Sequence, residues 1–270
     1  MLTFIKLGGS VITDKTVAEQ ADQATIRQLA GDLAAARLAD PALQVVLGHG
    51  SGSFGHTYAQ RYGVHRGIPP GGDWMGFALT AAAALRLNRI VVDALLEAGV
   101  PALALQPSAT ARADRGTLAR WQTDALALAL THGLLPVVHG DVAFDTAQGS
   151  AIISTEQLLT YLARDPRLRP ARIILVGEAG VYTADPRAEP AAERIPLITR
   201  QNIAQVLAAT GGSHGVDVTG GMRSKIELMW GLIEANPGLT VQLIGPAPGL
   251  LARALLGQAK GEGTVLRLED

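Results

Sequence analysis

The chain has 270 residues, 48% of them apolar, with a formal net charge of −1, enough for one large α/β domain or two lobes around a cleft. The charge balance and the lack of like-charge runs exclude a broad basic face, so no nucleic-acid partner is expected. No run of ~18 consecutive apolar residues predicts a membrane span, residues 1–8 lack the features of a secretory signal, and the absence of cysteine excludes disulfides and thiolate zinc sites; cytoplasmic residence is the default expectation.

In chain order, residues 2–7 read as a strand running into Gly8-Gly9-Ser10. A helix over 22–39 has Asp22 as its N-cap. Residues 43–48 form a buried strand, followed by a glycine-rich turn at 48–55. A long alanine- and leucine-rich helix covers 74–98, closed by Gly99. Short strands fit 101–105 and 134–139, with a helix around 119–131 between them. A hairpin at 140–153 and a helix at 155–164 lead to Arg164-Asp165-Pro166-Arg167 as a lobe boundary, dividing the chain into 1–165 and 166–270. The second half reads as a strand at 172–176, a long loop at 177–197, a helix at 199–209, a glycine-rich loop at 211–221, a helix at 222–235, a strand at 240–244 and a final helix and strand. Strands alternating with helices predict a mainly parallel sheet with helices on both faces.

Only four of the 23 basic residues are lysine: Lys6, Lys15, Lys225 and Lys260. A lysine kept against that arginine bias suits a site needing a compact ammonium on a phosphate oxygen, and three of the four lie in or beside glycine-rich segments. Lys6 precedes Gly8-Gly9-Ser10, whose amides can close on an anion. Gly48-His49-Gly50-Ser51-Gly52-Ser53-Phe54-Gly55-His56 follows a strand and opens a helix, placing backbone donors at a helix N-terminus. His56, in the first helical turn, fits an anion contact, whereas His49 reads as structural. The formal Gly50-x-Gly52-x-x-Gly55 match to a dinucleotide fingerprint lacks the acidic residue on a following strand. Asp141 and Glu156 could orient lysines, or serve as a turn residue and a helix-dipole partner. Gly220-Gly221 precede a helix carrying Lys225 in its first turns. No P-loop sequence occurs. Three glycine turns, each with a nearby lysine, are the equipment of phosphoryl transfer, which is mostly positioning and charge neutralisation.

Lys6-Leu-Gly-Gly-Ser10, Asp14-Lys15, Gly52-Ser-Phe-Gly-His56, His139-Gly-Asp141, Gly180-Val-Tyr-Thr183 with Asp185-Pro186, and Asp217-Val-Thr-Gly-Gly-Met222 with Lys225 span most of the chain. In these segments it resembles the amino-acid kinase superfamily and, within it, the isopentenyl phosphate kinase family. The resemblance implies an open αβα sandwich of two lobes, 1–165 binding the acceptor and 166–270 the nucleotide. It further implies a homodimer, ATP with Mg²⁺, and isopentenyl phosphate as acceptor. Carried over by motif, His56 and Ser51 would meet the acceptor phosphate, and Lys6 and Lys15 would stabilise the transferring phosphoryl. Gly8, Gly9, Ser10 and Gly52 would contact the ATP phosphates, Gly221 and Lys225 would hold the nucleotide, and the 177–186 loop with Asp185 would border the adenosine. Met75, Phe77, Ala78 and Leu79 would wall the acceptor tail. Protein ligands for the metal are not evident, so the ion is expected on ATP phosphates and water.

One departure stands out. The family pattern Ser-Gly-Asp is here Ser154-Thr155-Glu156, which lengthens the carboxylate that orders the lysines and puts Thr155 where glycine would let the acceptor approach. Two rivals stay open: a kinase for another phosphate or phosphonate such as fosfomycin, and a non-catalytic nucleotide sensor.

Overall fold

Strands that are apolar at every position must be covered on both faces. The structure, a computed structural model, describes residues 1–14, 16–186, 189–210 and 221–269. Its first half contains β1 Leu2–Leu7, α1 Gly9–Ile12, α2 Gln23–Ala39, β2 Gln44–His49, α3 Gly52–Arg61, α4 Met75–Glu97 and β3 Ala102–Ala104. There follow β4 Arg112–Asp114, β5 Thr117–Arg120, α5 Asp124–Thr131, β6 Leu135–His139, β7 Asp141–Asp145, β8 Gly149–Ile153 and α6 Thr155–Arg164. The second half contains β9 Arg172–Val176, β10 Val181–Tyr182, β11 Arg194–Ile195, β12 Leu197–Ile198, α7 Ile203–Ala209, α8 Gly221–Ala235, β13 Thr240–Ile244, α9 Leu250–Leu255 and β14 Thr264–Leu266.

Eight strands form one sheet in the order β12-β14-β13-β9-β1-β2-β6-β3, parallel except where β13 meets β14. Alternation along each strand sorts the core. Phe4, Val46, Val138, Ile173 and Leu175 join α6 and α8 through Leu158, Leu159 and Met229 in one cluster. Ile5, Leu7, Val45, Leu47, Val137 and Ile174 join α2, α4 and α9 through Leu33, Leu87, Val91 and Leu251 in the other. The result is an αβα sandwich. The sheet crosses residue 165 without a break, since β1 pairs with both β2 and β9.

By length and composition alone α4 could cross a membrane. Its residues Ala83, Leu87, Val91 and Leu95, at helical spacing, are instead buried on the sheet. Asp22 caps α2, accepting a hydrogen bond from the Thr25 N–H at 3.0 Å.

The expected helix at 119–131 is corrected: it begins at Asp124, and 112–120 is a hairpin. Arg115 (φ 49°) and Gly116 (φ 77°) make its two-residue turn, the twist that hairpins favour. Asp145 accepts the N–H groups of both at 3.1 and 2.7 Å. The 177–197 segment, expected to be loop, contains the β10–β11 pair and runs into the edge strand β12 at its end. The helix expected from 199 starts at Ile203, after a turn in which Asn202 Oδ1 accepts the Thr199 N–H at 2.8 Å.

Candidate active site

Five parallel strands continue straight into a glycine: β1 into Gly8, β2 into Gly50, β6 into Gly140, β9 into Gly177 and β13 into Gly245. All five lie on one edge of the sheet. The strand order turns back at β1, with β2 on one side and β9 on the other, and the crevice beyond such a point is where open α/β sheets bind ligands.

The two glycine turns of the first half touch through their backbones. A Cβ on Gly9 would lie 2.7 Å from the Gly52 nitrogen, and one on Gly50 would lie 2.8 Å from the Gly9 nitrogen. Gly52 has φ 49°, and a Cβ there would lie 2.2 Å from Thr13 Oγ1. Thr13 Oγ1 stitches the turns, donating to the Gly9 carbonyl at 2.7 Å and accepting the Ser53 N–H at 3.1 Å. On the far side the Gly8 N–H donates to the Val176 carbonyl at 2.8 Å. Ser10 is exposed in α1, and Ser51 and His56 are half-buried at the start of α3.

Lys6 alternates with Phe4 on the α6 face of β1, and its Nζ donates to Glu156 Oε1 at 2.5 Å. Glu156 stands in the first turn of α6. Burial pushes its carboxyl up, but the charge and hydrogen bond of Lys6, helped by the field of Lys225, outweigh this and hold the pKa below its ordinary value. The Glu156 carboxylate thus feels two lysines, Lys6 in contact and Lys225 through its charge, one from each half of the chain.

Two expectations are corrected. Thr155 is 1% exposed, and its Oγ1 donates to the His49 carbonyl at 2.6 Å. Its methyl would lie 2.5 Å from a Cβ on Gly48. It fills the floor beneath the site and presents no surface to an acceptor. Among the described residues Asp141 meets backbone rather than a lysine: its carboxylate accepts the Ser108 N–H at 3.0 Å and the Val142 N–H at 2.8 Å. Burial outweighs these bonds and pushes its pKa up to about 6.

Beside Asp141 lie two fully buried histidines, His49 and His139, with ring centroids 5.6 Å apart. His49 Nδ1 meets the Gly50 carbonyl at 3.0 Å, which leaves Nε2 to accept from Asn88 Nδ2 at 3.0 Å. Burial lowers the His49 pKa to about 4, against a smaller upward pull from the Gly50 carbonyl. His139 is pushed well below its ordinary value by burial and then by His49. Both are neutral supports.

Asp185 is exposed after β10, and Gly221 opens α8 with φ 67°. Lys15 and the 211–220 loop lie outside the described residues. Among the described residues no three His, Asp or Glu side chains gather to hold a metal ion. Sequence reasoning missed Thr13 as the stitch between the glycine turns. It also missed Glu19, whose partners are far away in the chain; an arginine interrupting the apolar α4, Arg86, was the available signal.

The Amino acid kinase family profile matches residues 1–241. Isopentenyl phosphate kinase of Methanothermobacter thermautotrophicus is 37% identical over 266 residues, covering 95% of this chain and 96% of the relative. The isopentenyl phosphate kinase of Haloferax volcanii is 38% identical over 259 residues, covering 93% and 98%. Among solved structures, one of isopentenyl phosphate kinase aligns with a TM-score of 0.78 at 32% identity over 98% of this chain and all of the other. Carbamate kinase from Giardia lamblia, at 12% identity and a TM-score of 0.71, shares the fold.

Proposed function

The chain belongs to the amino acid kinase family, and on that premise we propose that it uses ATP to phosphorylate isopentenyl phosphate, giving isopentenyl diphosphate and ADP. The observation that carries this reading is likeness to isopentenyl phosphate kinases over more than nine-tenths of both chains. In the reaction an oxygen of the acceptor phosphate attacks the γ-phosphorus, and the bond to the β,γ-bridging oxygen breaks. Little covalent work falls to the protein, which must align the two phosphates and neutralise charge.

Each part of the site suits that task. In the interlocked turns the N–H groups of Gly8 and Gly50 are spent on the Val176 and Leu7 carbonyls, and those of Gly9, Ser51 and Gly52 are the donors for the phosphates. Lys6 follows the transferring group from the end of β1, with Glu156 fixing its ammonium and Lys15 as a second cation. Ser10, with these turns, contacts the ATP phosphates. His56 hydrogen-bonds the acceptor phosphate at the start of α3, next to Ser51. Gly221, Lys225 and the 177–186 loop with Asp185 take the nucleotide, so residues 1–165 serve the acceptor and 166–270 the nucleotide. Mg²⁺, arriving on the phosphates of ATP, supplies charge neutralisation. An apolar cluster of Val64, Ile68, Phe77 and Val142 adjoins α3 and α4 and gives the isopentenyl tail an uncharged wall. Of the wall residues expected from sequence, Phe77 points inward and Met75 and Ala78 face outward.

We read the assembly as a homodimer. The edge strand β3 exposes Leu103, and the outer face of the adjoining α4 exposes Leu85 and Leu96, an apolar surface for a second copy.

The deciding experiment is ADP release with Mg-ATP and isopentenyl phosphate, beside His56→Ala. We expect turnover that falls on the order of a hundredfold in the variant, mostly through acceptor KM. ATP binding without turnover would overturn the acceptor and direct the assay to phosphonates.

A further inference from the structure

Glu19 is one of two non-glycine residues with positive φ among those described, at 54°. The left-handed region strains an ordinary side chain and favours glycine, so a glutamate kept there has work for its carboxylate. That carboxylate is fully engaged. Arg86 of α4 grips it with two bonds, Nε to Oε2 at 2.8 Å and Nη2 to Oε1 at 2.6 Å. Tyr58 of α3 donates its hydroxyl to Oε1 at 2.8 Å. The Glu19 N–H reaches the Ser53 carbonyl in the first turn of α3 at 3.4 Å. The strand-like approach to this turn is tied back by the Asp14 N–H to the Gln20 carbonyl at 2.9 Å and the Asp22 N–H to the Ile12 carbonyl at 2.9 Å.

Glu19 thus grips α3 at Ser53 and at Tyr58, on either side of His56, and binds both points to α4. We propose that Glu19, Arg86 and Tyr58 form a brace that sets the position of α3, and with it the acceptor-phosphate contact. They are positioning residues, because the carboxylate, guanidinium and phenol engage one another and the α3 backbone. The Arg86 bond is the first cause holding the Glu19 carboxyl below its ordinary pKa, so the brace stays charged at neutral pH. The inference rests on the isopentenyl phosphate reading for its kinetic consequence, and on geometry alone for the brace.

The test is Glu19→Gly beside Arg86→Gln in the full chain, with KM measured separately for isopentenyl phosphate and ATP. A residue that merely fills a left-handed turn is improved by glycine. A brace is lost. We expect Glu19→Gly to melt no lower than the parent, and both variants to raise the acceptor KM about tenfold while the ATP KM moves by less than about twofold. An unchanged acceptor KM, or equal rises in both constants, overturns the brace. If the parent protein does not turn over isopentenyl phosphate, the functional reading falls on its own. The brace is then decided by hydrogen exchange: Arg86→Gln must speed exchange at residues 16–21, the Glu19 N–H included, and unchanged exchange overturns it.

Discussion

The ends of β1 and β2 and the end of β6 start from the same sequence device, a buried strand running into glycine, and finish differently. At β1 and β2 the turns are partly buried, with Gly9, Gly50 and Ser51 half-exposed, and Lys6 beneath them is paired with Glu156. At β6 burial works against charge: His139 is driven neutral and Asp141 is pushed up to about 6, and His49, the last residue of β2, turns in beside them and is driven neutral as well. A charge survives at this edge where an opposite charge faces it, because desolvation is otherwise too costly. On the proposed function, the β6 end is scaffold and the β1–β2 end is the working surface.

The sharpest way to break that comparison is at Lys6. Lys6→Arg keeps the charge and can still pair with Glu156, but replaces a compact ammonium by a planar fork. If the ammonium must follow the phosphoryl, kcat drops on the order of a hundredfold or more, while the ATP KM changes little. Activity within about tenfold of the parent would show that charge alone suffices, and the working surface would then reduce to electrostatics.

How far this division could be read from sequence follows from range. The strands at 2–7, 43–48, 134–139, 172–176 and 240–244 announce themselves by apolar runs ending in glycine, and the structure places them as expected. Lys6 and Glu156 were recognisable by type. What could not be read was partner choice. Asp141 and Glu156 each lie within three residues of a strand's end, yet one meets amides at residues 108 and 142 and the other meets Lys6. That depends on which side of the sheet each lands, a tertiary fact. Thr155 follows the same rule: beside the Lys6-pairing carboxylate of Glu156 in sequence, it turns inward because α6 packs its first turn on Gly48. The hairpin at 112–120 was missed because its turn is stabilised from outside, by Asp145.

A second test sets two glycines of the same edge against each other. Gly52 combines φ 49° with a Cβ position only 2.2 Å from Thr13 Oγ1 and 2.8 Å from the Gly9 carbonyl oxygen. Gly177 has nothing within 4 Å of its Cβ position and no left-handed backbone. Gly52→Ala therefore costs roughly 4 kcal/mol, about 3 from overpacking and about 1 from the left-handed residue. Gly177→Ala stays within about 0.5 kcal/mol. Urea denaturation measures both. Equal costs would mean that the β1–β2 turns do not interlock more tightly than the rest of the edge.

The last test separates the two carboxylates by the sign of their pH dependence. Asp141 has a folded pKa near 6 against an ordinary 3.8, so between these values the folded chain holds a proton that the unfolded chain has released. Its contribution therefore declines as pH rises from about 4 to about 6 and is flat above, a total on the order of 3 kcal/mol. Glu156 runs the other way: its folded pKa lies below the ordinary value, so its contribution is complete above the unfolded pKa and is lost as pH falls through the folded one. Asp141→Asn abolishes the first slope while its side-chain oxygen still accepts from one of the two amides. Buried His49 and His139, neutral when folded, make stability rise over the same interval, so the readout is the difference between parent and variant: in the Glu156→Gln background, Asp141→Asn should make stability rise more steeply from pH 4.5 to 6.5 than it does in the parent. A variant whose stability rises no more steeply than the parent's would place Asp141 among the charged, paired groups and dissolve the distinction between the two ends of the sheet.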